Sequence, residues 1–270
     1  MKLFYYLVIF ALLATFGCVP KRKMVYLQSQ KGQPPLDSIA FNYDRSHYRL
    51  QVNDIIDVQI TSPDEEINRY FSGQGGGQQG NQMMRMGVQG GGDIYYMTGY
   101  SVNDSGYISL PVLGDVKVEG FTIGEVKETL DERIKEYFKE YFLSVRLGGL
   151  RFAALGEFNA PGKHVILQNQ ATIFEAIAQC NDLNMVADRE NVRIIRQYPE
   201  GSKVHTINLL DQSLMSSPLY FIQPNDVIYV EPLRAKSYGV GVTGAQTLTT
   251  IISAVSSGLA LIIAVVSLTR

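Results

Sequence analysis

The chain has no tryptophan, only two cysteines and only three histidines. His47, His164 and His205 lie too far apart in sequence to give the ligand spacing of a metal centre. Neither Cys18 nor Cys180 stands in a redox-active pair, and Cys180 follows Ile173, Phe174 and Ile177 as a small apolar residue on a predicted helix. The formal net charge is −2, so the basic footprint of a nucleic-acid-binding protein is missing. Phe71 to Asp93 is rich in Gly, Gln, Met and Asn, but it lacks the Lys-Ser/Thr that closes a phosphate loop. It has no hydrophobic period and reads as an inserted loop. Met83, Met84 and Met86 have no His or Cys beside them with which to share a soft metal. Asp64-Glu65-Glu66 follows Pro63 and reads as a solvated loop rather than as the carboxylate pair of a glycosidase. These absences predict a protein that is not an enzyme and that uses no cofactor or metal.

Both ends of the chain carry membrane signals. Lys2 is followed by an apolar run from Leu3 to Phe16 and by small Gly17, directly before Cys18. A positive start, a short apolar stretch and a small residue at the cut site make a secretory signal over 1–17. Cys18 is placed for lipid attachment, and two acyl chains would hold it stably in a bilayer. Lys21, Arg22 and Lys23 then suit anionic headgroups. Leu248 to Leu268 has no charge and no proline, which is enough chain to cross about 30 Å of hydrocarbon as a helix. Ser253, Ser257, Ala260, Ala264 and Ser267 recur at spacings of three and four and so share one face. Such a stripe permits close helix packing or lines a wet lumen, whereas a simple anchor needs neither.

Between the ends, short strands surround single helices. Tyr48 to Ile60 reads as two strands about the Asn53-Asp54 turn. Strands are predicted at 93–100, at 107–111 and over 114–120. Thr122-Ile123-Gly124-Glu125 is a capping box, opening a helix to about Tyr141 with Val126, Leu130, Ile134, Tyr137 and Tyr141 as its apolar stripe. Asp131 is spaced to pair with Lys135. A strand over 143–147 completes the first unit. In the second unit, strands are predicted at 152–155, 164–167, 192–195 and 227–230. Thr172-Ile173-Phe174-Glu175 is a second capping box, with a helix to about Cys180. Asn53-Asp54-Ile55-Ile56-Asp57-Val58 is echoed by Asn225-Asp226-Val227-Ile228-Tyr229-Val230. Tyr95, Tyr96, Tyr100 and Tyr107 could stack on sugar rings, but alternating strand tyrosines are more often core or interface. The fold class is α+β.

These segments together resemble the outer-membrane polysaccharide export family. Tyr48 to Ile60 is similar to the start of its export domain, and Asp104-Ser105-Gly106-Tyr107-Ile108-Ser109-Leu110-Pro111-Val112-Leu113-Gly114 to that domain's most specific stretch. Leu155-Gly156-Glu157-Phe158-Asn159-Ala160-Pro161-Gly162 resembles the opening of a soluble-ligand-binding β-grasp (SLBB) domain. The resemblance implies a small export domain over 46–149 with the inserted loop 71–93, a β-grasp-like SLBB domain over 150–233 and a C-terminal transmembrane, amphipathic helix over 246–270. Residues 18–45 would be a linker. It further implies a lipid-anchored outer-membrane protein with most of its chain in the periplasm, forming a homo-oligomeric ring whose terminal helices enclose a channel for capsular polysaccharide or exopolysaccharide. An inner-membrane co-polymerase or transporter would dock from below. The rival reading is a lipid-tethered periplasmic scaffold that binds glycan or a partner without a pore.

Overall fold

A computed structural model describes residues 20–29, 33–35, 40, 48–64, 68, 99–233 and 244–268. Within it two apolar cores are separate and consecutive in sequence.

The first core lies under a three-stranded sheet of order β2-β1-β5, made by β1 (Ile55–Thr61), β2 (Tyr100–Ser101) and β5 (Phe142–Leu147). Ile56, Val58 and Ile60 alternate toward helix α1 (Ile123–Lys135), which returns Val126, Leu130 and Ile134. Period two meeting period 3.6 in this way puts one apolar face against the other. The hairpin of β3 (Tyr107–Leu110) and β4 (Gly114–Lys117) adds Ile108, Leu110 and Val116. Leu50 joins without being in a strand, because its amide donates to Phe121 O and its carbonyl accepts from Gly120 N.

The predicted capping box is formed: Glu125 N donates to Thr122 Oγ1 and Thr122 N to Glu125 Oε2. The helix ends sooner than the expected Tyr141. After Lys135 the chain turns, and the Tyr141 hydroxyl reaches back to Asp131 Oδ1 at 2.6 Å. Tyr137, expected in the apolar stripe, lies beyond the helix and is exposed. Asp131 does pair with Lys135.

The second core fills one face of a five-stranded sheet of order β10-β9-β12-β6-β7. Its strands are β6 (Leu150–Gly156), β7 (Gly162–Ile166), β9 (Ala187–Tyr198), β10 (Gly201–Ile207) and β12 (Asp226–Pro232). β12 lies between β9, antiparallel, and β6, parallel. A short pair, β8 (Ala171–Thr172) with β11 (Phe221–Ile222), stands beside helix α2 (Ile173–Gln179). The second predicted capping box is formed here too, and Cys180 caps the helix end fully buried. Burial raises the Cys180 thiol to about 11, which leaves it an inert core residue.

Chain folded together in this way is mixed helix and sheet, the α+β class. The last element, α3 (Gly244–Leu268), belongs to neither core. Its side chains are described at 249–260, 262 and 266–267, and all but residue 262 are exposed. Among the described residues no helix is long and apolar enough to cross a membrane. The expected transmembrane helix over 246–270 therefore gains no support from them and rests on the sequence of 248–268. The signal segment, Cys18, loop 71–93, His47, Tyr95 and Tyr96 lie outside the described residues.

Candidate functional site

Among the described residues no cluster of His, Cys, Asp or Glu is arranged to hold a metal. His164 stacks on Phe152 and bonds Ala160 O at 2.8 Å, while His205 bonds the Tyr198 hydroxyl at 3.0 Å. Both are structural. An open groove runs beside the start of α1, lined by Arg49, Phe121, Glu125, Glu128 and Glu132, and Arg49 and Glu125 already pair across it at 3.3 Å. Thr129 also lines it, with its hydroxyl donating to Glu125 O at 2.9 Å within the helix. Beyond this groove stand the joint between the two units, the segment ahead of them, and the helix after them.

At the joint the two repeated turns meet. Asn53 and Asn225 both take left-handed backbone, φ 70° and 65°, which Asn tolerates better than most residues. Each thereby aims the next aspartate inward. Asp54 accepts from the Tyr48 hydroxyl at 2.6 Å, from Gln51 N at 2.8 Å, and from Asn225 Nδ2 of the other turn at 3.3 Å. Asp226 accepts from Arg196 Nε at 3.0 Å and Nη2 at 2.8 Å, and from Gln223 N at 2.8 Å. Gln51 Nε2 also donates to Gln197 O at the end of β9. The recurrence seen in the sequence is thus two copies of one turn placed against each other.

Burial raises both carboxyls above their usual range, opposed at Asp54 by the Gln51 amide and at Asp226 by Arg196. A raised folded-state pKa means that the stability Asp54 contributes is present below its unfolded pKa of about 3.9 and is lost as pH rises through the folded value. Asp54→Asn removes this slope. Urea unfolding across acid to neutral pH should show the native chain losing stability relative to Asp54→Asn as pH rises. A constant difference would refute the assignment.

The segment ahead of the first unit packs on the second. Pro20 to Ser29, inside the stretch expected to be a linker, runs beside β9 and the Leu209–Gln212 segment. Leu27 N donates to Leu209 O and Gln28 N to Leu210 O. Tyr26 bonds Asp182 at 2.5 Å, lies under the Arg189 guanidinium and meets Phe174 edge-on at 5.6 Å. Burial, with the Asp182 bond, pushes its phenol up to about 12. Gln212 Nε2 donates to Pro34 O. Nothing in the local sequence of 20–29 announces this strap; the Val25-Tyr26-Leu27 triplet is its one apolar signal.

The predicted stripe lies on α3. Ser253, Ser257, Ala260 and Ser267 are exposed there, and Ala264 is on the helix with its side chain outside the described residues. Ser253 and Ser257 donate to Thr250 O at 2.9 Å and Ser253 O at 2.7 Å, so their hydroxyls are satisfied within the helix. Ile251, Val255 and Leu259 on other faces are also exposed.

Residues 42–148, the whole first unit, match the family described as polysaccharide biosynthesis/export protein. This stretch belongs to the polysaccharide export family. The chain is also similar to the EPS I polysaccharide export outer membrane protein EpsA of Ralstonia solanacearum, 27% identical over 141 residues, which is 50% of this chain and 36% of that protein. The protein of the same description from Ralstonia nicotianae aligns with the same identity and coverage. The chain thus spans little more than a third of the length of these relatives. The export domain so placed holds the β3–β4 hairpin, whose Val112 takes φ 67° and is exposed. A β-branched residue rarely adopts that backbone.

Proposed function

We propose that the chain is a lipid-anchored outer-membrane protein that assembles as a ring and forms the exit channel for an exported capsular polysaccharide or exopolysaccharide. The observation that carries this reading is the polarity of β9. Its Gln197 end meets the export domain through Gln51. At its Ala187 end, Pro232 pairs with Ala187 and Leu233 N donates to Val186 O at 2.7 Å, where the chain departs toward α3. The strap arrives at the same end, with Lys23 Nζ 3.7 Å from Glu190. At about 3.3 Å per residue β9 holds the export domain roughly 30 Å from the exit toward α3 and roughly 23 Å from the strap's contact at Glu190. In this reading the subunit stands upright, with α3 crossing the outer membrane, a β-grasp-like SLBB module beneath it, and the export domain lowest, facing an inner-membrane co-polymerase or transporter.

Two surfaces support a ring. The helices α1 and α2 and their cores cover one face of each sheet. The other face of the five-stranded sheet presents Val204, 61% exposed, and Leu155, with Leu167, 63% exposed, just past the end of β7. A sheet buries both faces when a neighbour supplies the second layer. Val204→Asp with Leu167→Asp should shift detergent-extracted protein from a large assembly to single copies in mass photometry, while each copy stays folded by circular dichroism. An unchanged assembly would exclude this face.

The second surface is the stripe on α3. A ring of helices satisfies every backbone hydrogen bond within each helix and can enclose water. With Cys180 buried and the Cys18 thiol carrying lipid in this reading, single cysteines report cleanly. Ser253→Cys, Ser257→Cys and Ala260→Cys should react with a membrane-impermeant maleimide, and Val255→Cys and Ile262→Cys should resist it. Equal labelling of both sets would favour the tethered scaffold over a channel.

A further inference from the structure

The Ala187 end of β9 carries more than two chain exits. The loop just before it, Asn181–Val186, is built to hold one side chain outward. Asn181 and Asp182 are consecutive left-handed residues, φ 59° and 69°. They are fixed there: Asn159 Nδ2 donates to Asn181 O at 2.7 Å, and Asp182 accepts from its neighbour Leu183 N and from Tyr26 of the strap. Arg189 Nη2 donates to Leu183 O, and Asn184 N to Glu157 O. At the tip of this clamped loop Met185 is 70% exposed, more than any other large apolar side chain among the described residues.

Tyr26 ties the same loop to the strap, whose first turn, Lys21–Lys23, reaches β9 through Lys23 and Glu190. Gln28 Nε2 donates to Arg22 O and Val25 O and holds that turn closed. Lys21 and Arg22 are exposed, as is Val25. Of the acids at this end, Glu190 pairs with Lys23, and Asp182, Asp188 and Glu157 accept hydrogen bonds from Tyr26 and Leu183 N, from Glu190 N and Asn191 Nδ2, and from Asn184 Nδ2. An exposed methionine and exposed basic residues at one end of a module are the chemistry of a bilayer interface with anionic headgroups. A protein partner would have to occupy the end from which both membrane-directed segments leave.

We infer that this end of the second module is a membrane-contact footprint: Met185 enters the interfacial layer of an anionic bilayer while Lys21 and Arg22 contact headgroup phosphates. The module is thus seated on the membrane surface and does not merely hang from its anchors. This rests on the proposed membrane attachment of the two chain ends.

The test uses the full chain reconstituted into phosphatidylethanolamine vesicles with and without phosphatidylglycerol. Met185→Cys carries an environment-sensitive nitrobenzoxadiazole label, and Val112→Cys in the export domain carries the same label as the aqueous control. The footprint predicts that the label at 185 shifts to the blue and is quenched by lipid-borne nitroxide when phosphatidylglycerol is present, and that the label at 112 does neither. Lys21→Glu with Arg22→Glu, or high salt, should reduce the quenching at 185. If the protein floats with the vesicles but position 185 stays as aqueous as 112, the footprint is overturned and the membrane attachment stands. A label at 185 that is shielded from water yet untouched by lipid nitroxide also overturns it, in favour of a neighbouring copy. Failure to float overturns the attachment and the footprint together.

Discussion

Arg196→Ala should destabilise the second module by about 3–5 kcal/mol, the cost of leaving one member of a buried ion pair alone. The Arg196 and Asp226 side chains are 4% and 0% exposed, and two parallel hydrogen bonds join them. Arg196 Nη2 also donates to Phe221 O at 3.0 Å, tying β11 to the sheet. Without the guanidinium, the fully buried Asp226 carboxyl keeps only the Gln223 amide. The damage should spread to the joint, because Asn225 next to it holds Asp54. Arg196→Lys keeps the charge but not the planar fork, and should fall between native and alanine. Arg196→Met combined with Asp226→Leu should recover much of the loss, since apolar replacement of both partners leaves no orphaned charge. Urea midpoints of the four proteins decide the matter. An alanine variant as stable as the native chain would show that the pair is dispensable.

Gly156→Ala should be the more disruptive of two glycine replacements that look alike in sequence. Gly156 has φ +89°, and a Cβ there would stand 2.0 Å from Val230 O and 3.0 Å from its carbon. That carbonyl cannot retreat, because it accepts from Glu157 N at 3.0 Å and Val230 is in register with Gly156 across the parallel β6–β12 pair. Gly114, at the β3–β4 turn, has φ +68° but nothing within 4 Å of a new Cβ. Gly114→Ala should therefore cost only the left-handed penalty of about 1–2 kcal/mol. Gly156→Ala should cost several-fold more, and should part β6 from β12 just before the chain leaves the sheet. Loss of assembly should accompany the loss of stability. Equal thermal shifts in the two variants would contradict the close approach.

What the sequence could reveal was mostly local. Thr122 and Thr172 each announced a helix start, because a capping box is written within four residues. The Asn53-Asp54 turn was equally self-contained. The long hairpin of β9 and β10 was read only as the short strand 192–195. Its outer residues, such as Glu190, Lys203 and His205, are polar, and their pairing depends on partners rather than on a hydrophobic period. The parallel contact of β12 with β6 joins residues from opposite ends of the module, and no local pattern encodes it. The Asn53-Asp54 and Asn225-Asp226 echo was visible, but not that the two turns touch. The strap escaped for the same reason: Tyr26 is ordinary in its own neighbourhood and finds meaning only beside Asp182 and Arg189. The α3 stripe was legible as spacing alone, because what it faces requires more than one chain.

The direct test of a ring-shaped exit channel is the mass of the detergent-extracted protein, intact and cut after Gly239. A closed ring predicts one large, discrete multiple of the subunit mass for the intact chain, and loss of polymer export when the segment after Gly239 is removed. Intact protein that runs as single subunits, with export undisturbed by the cut, would contradict it.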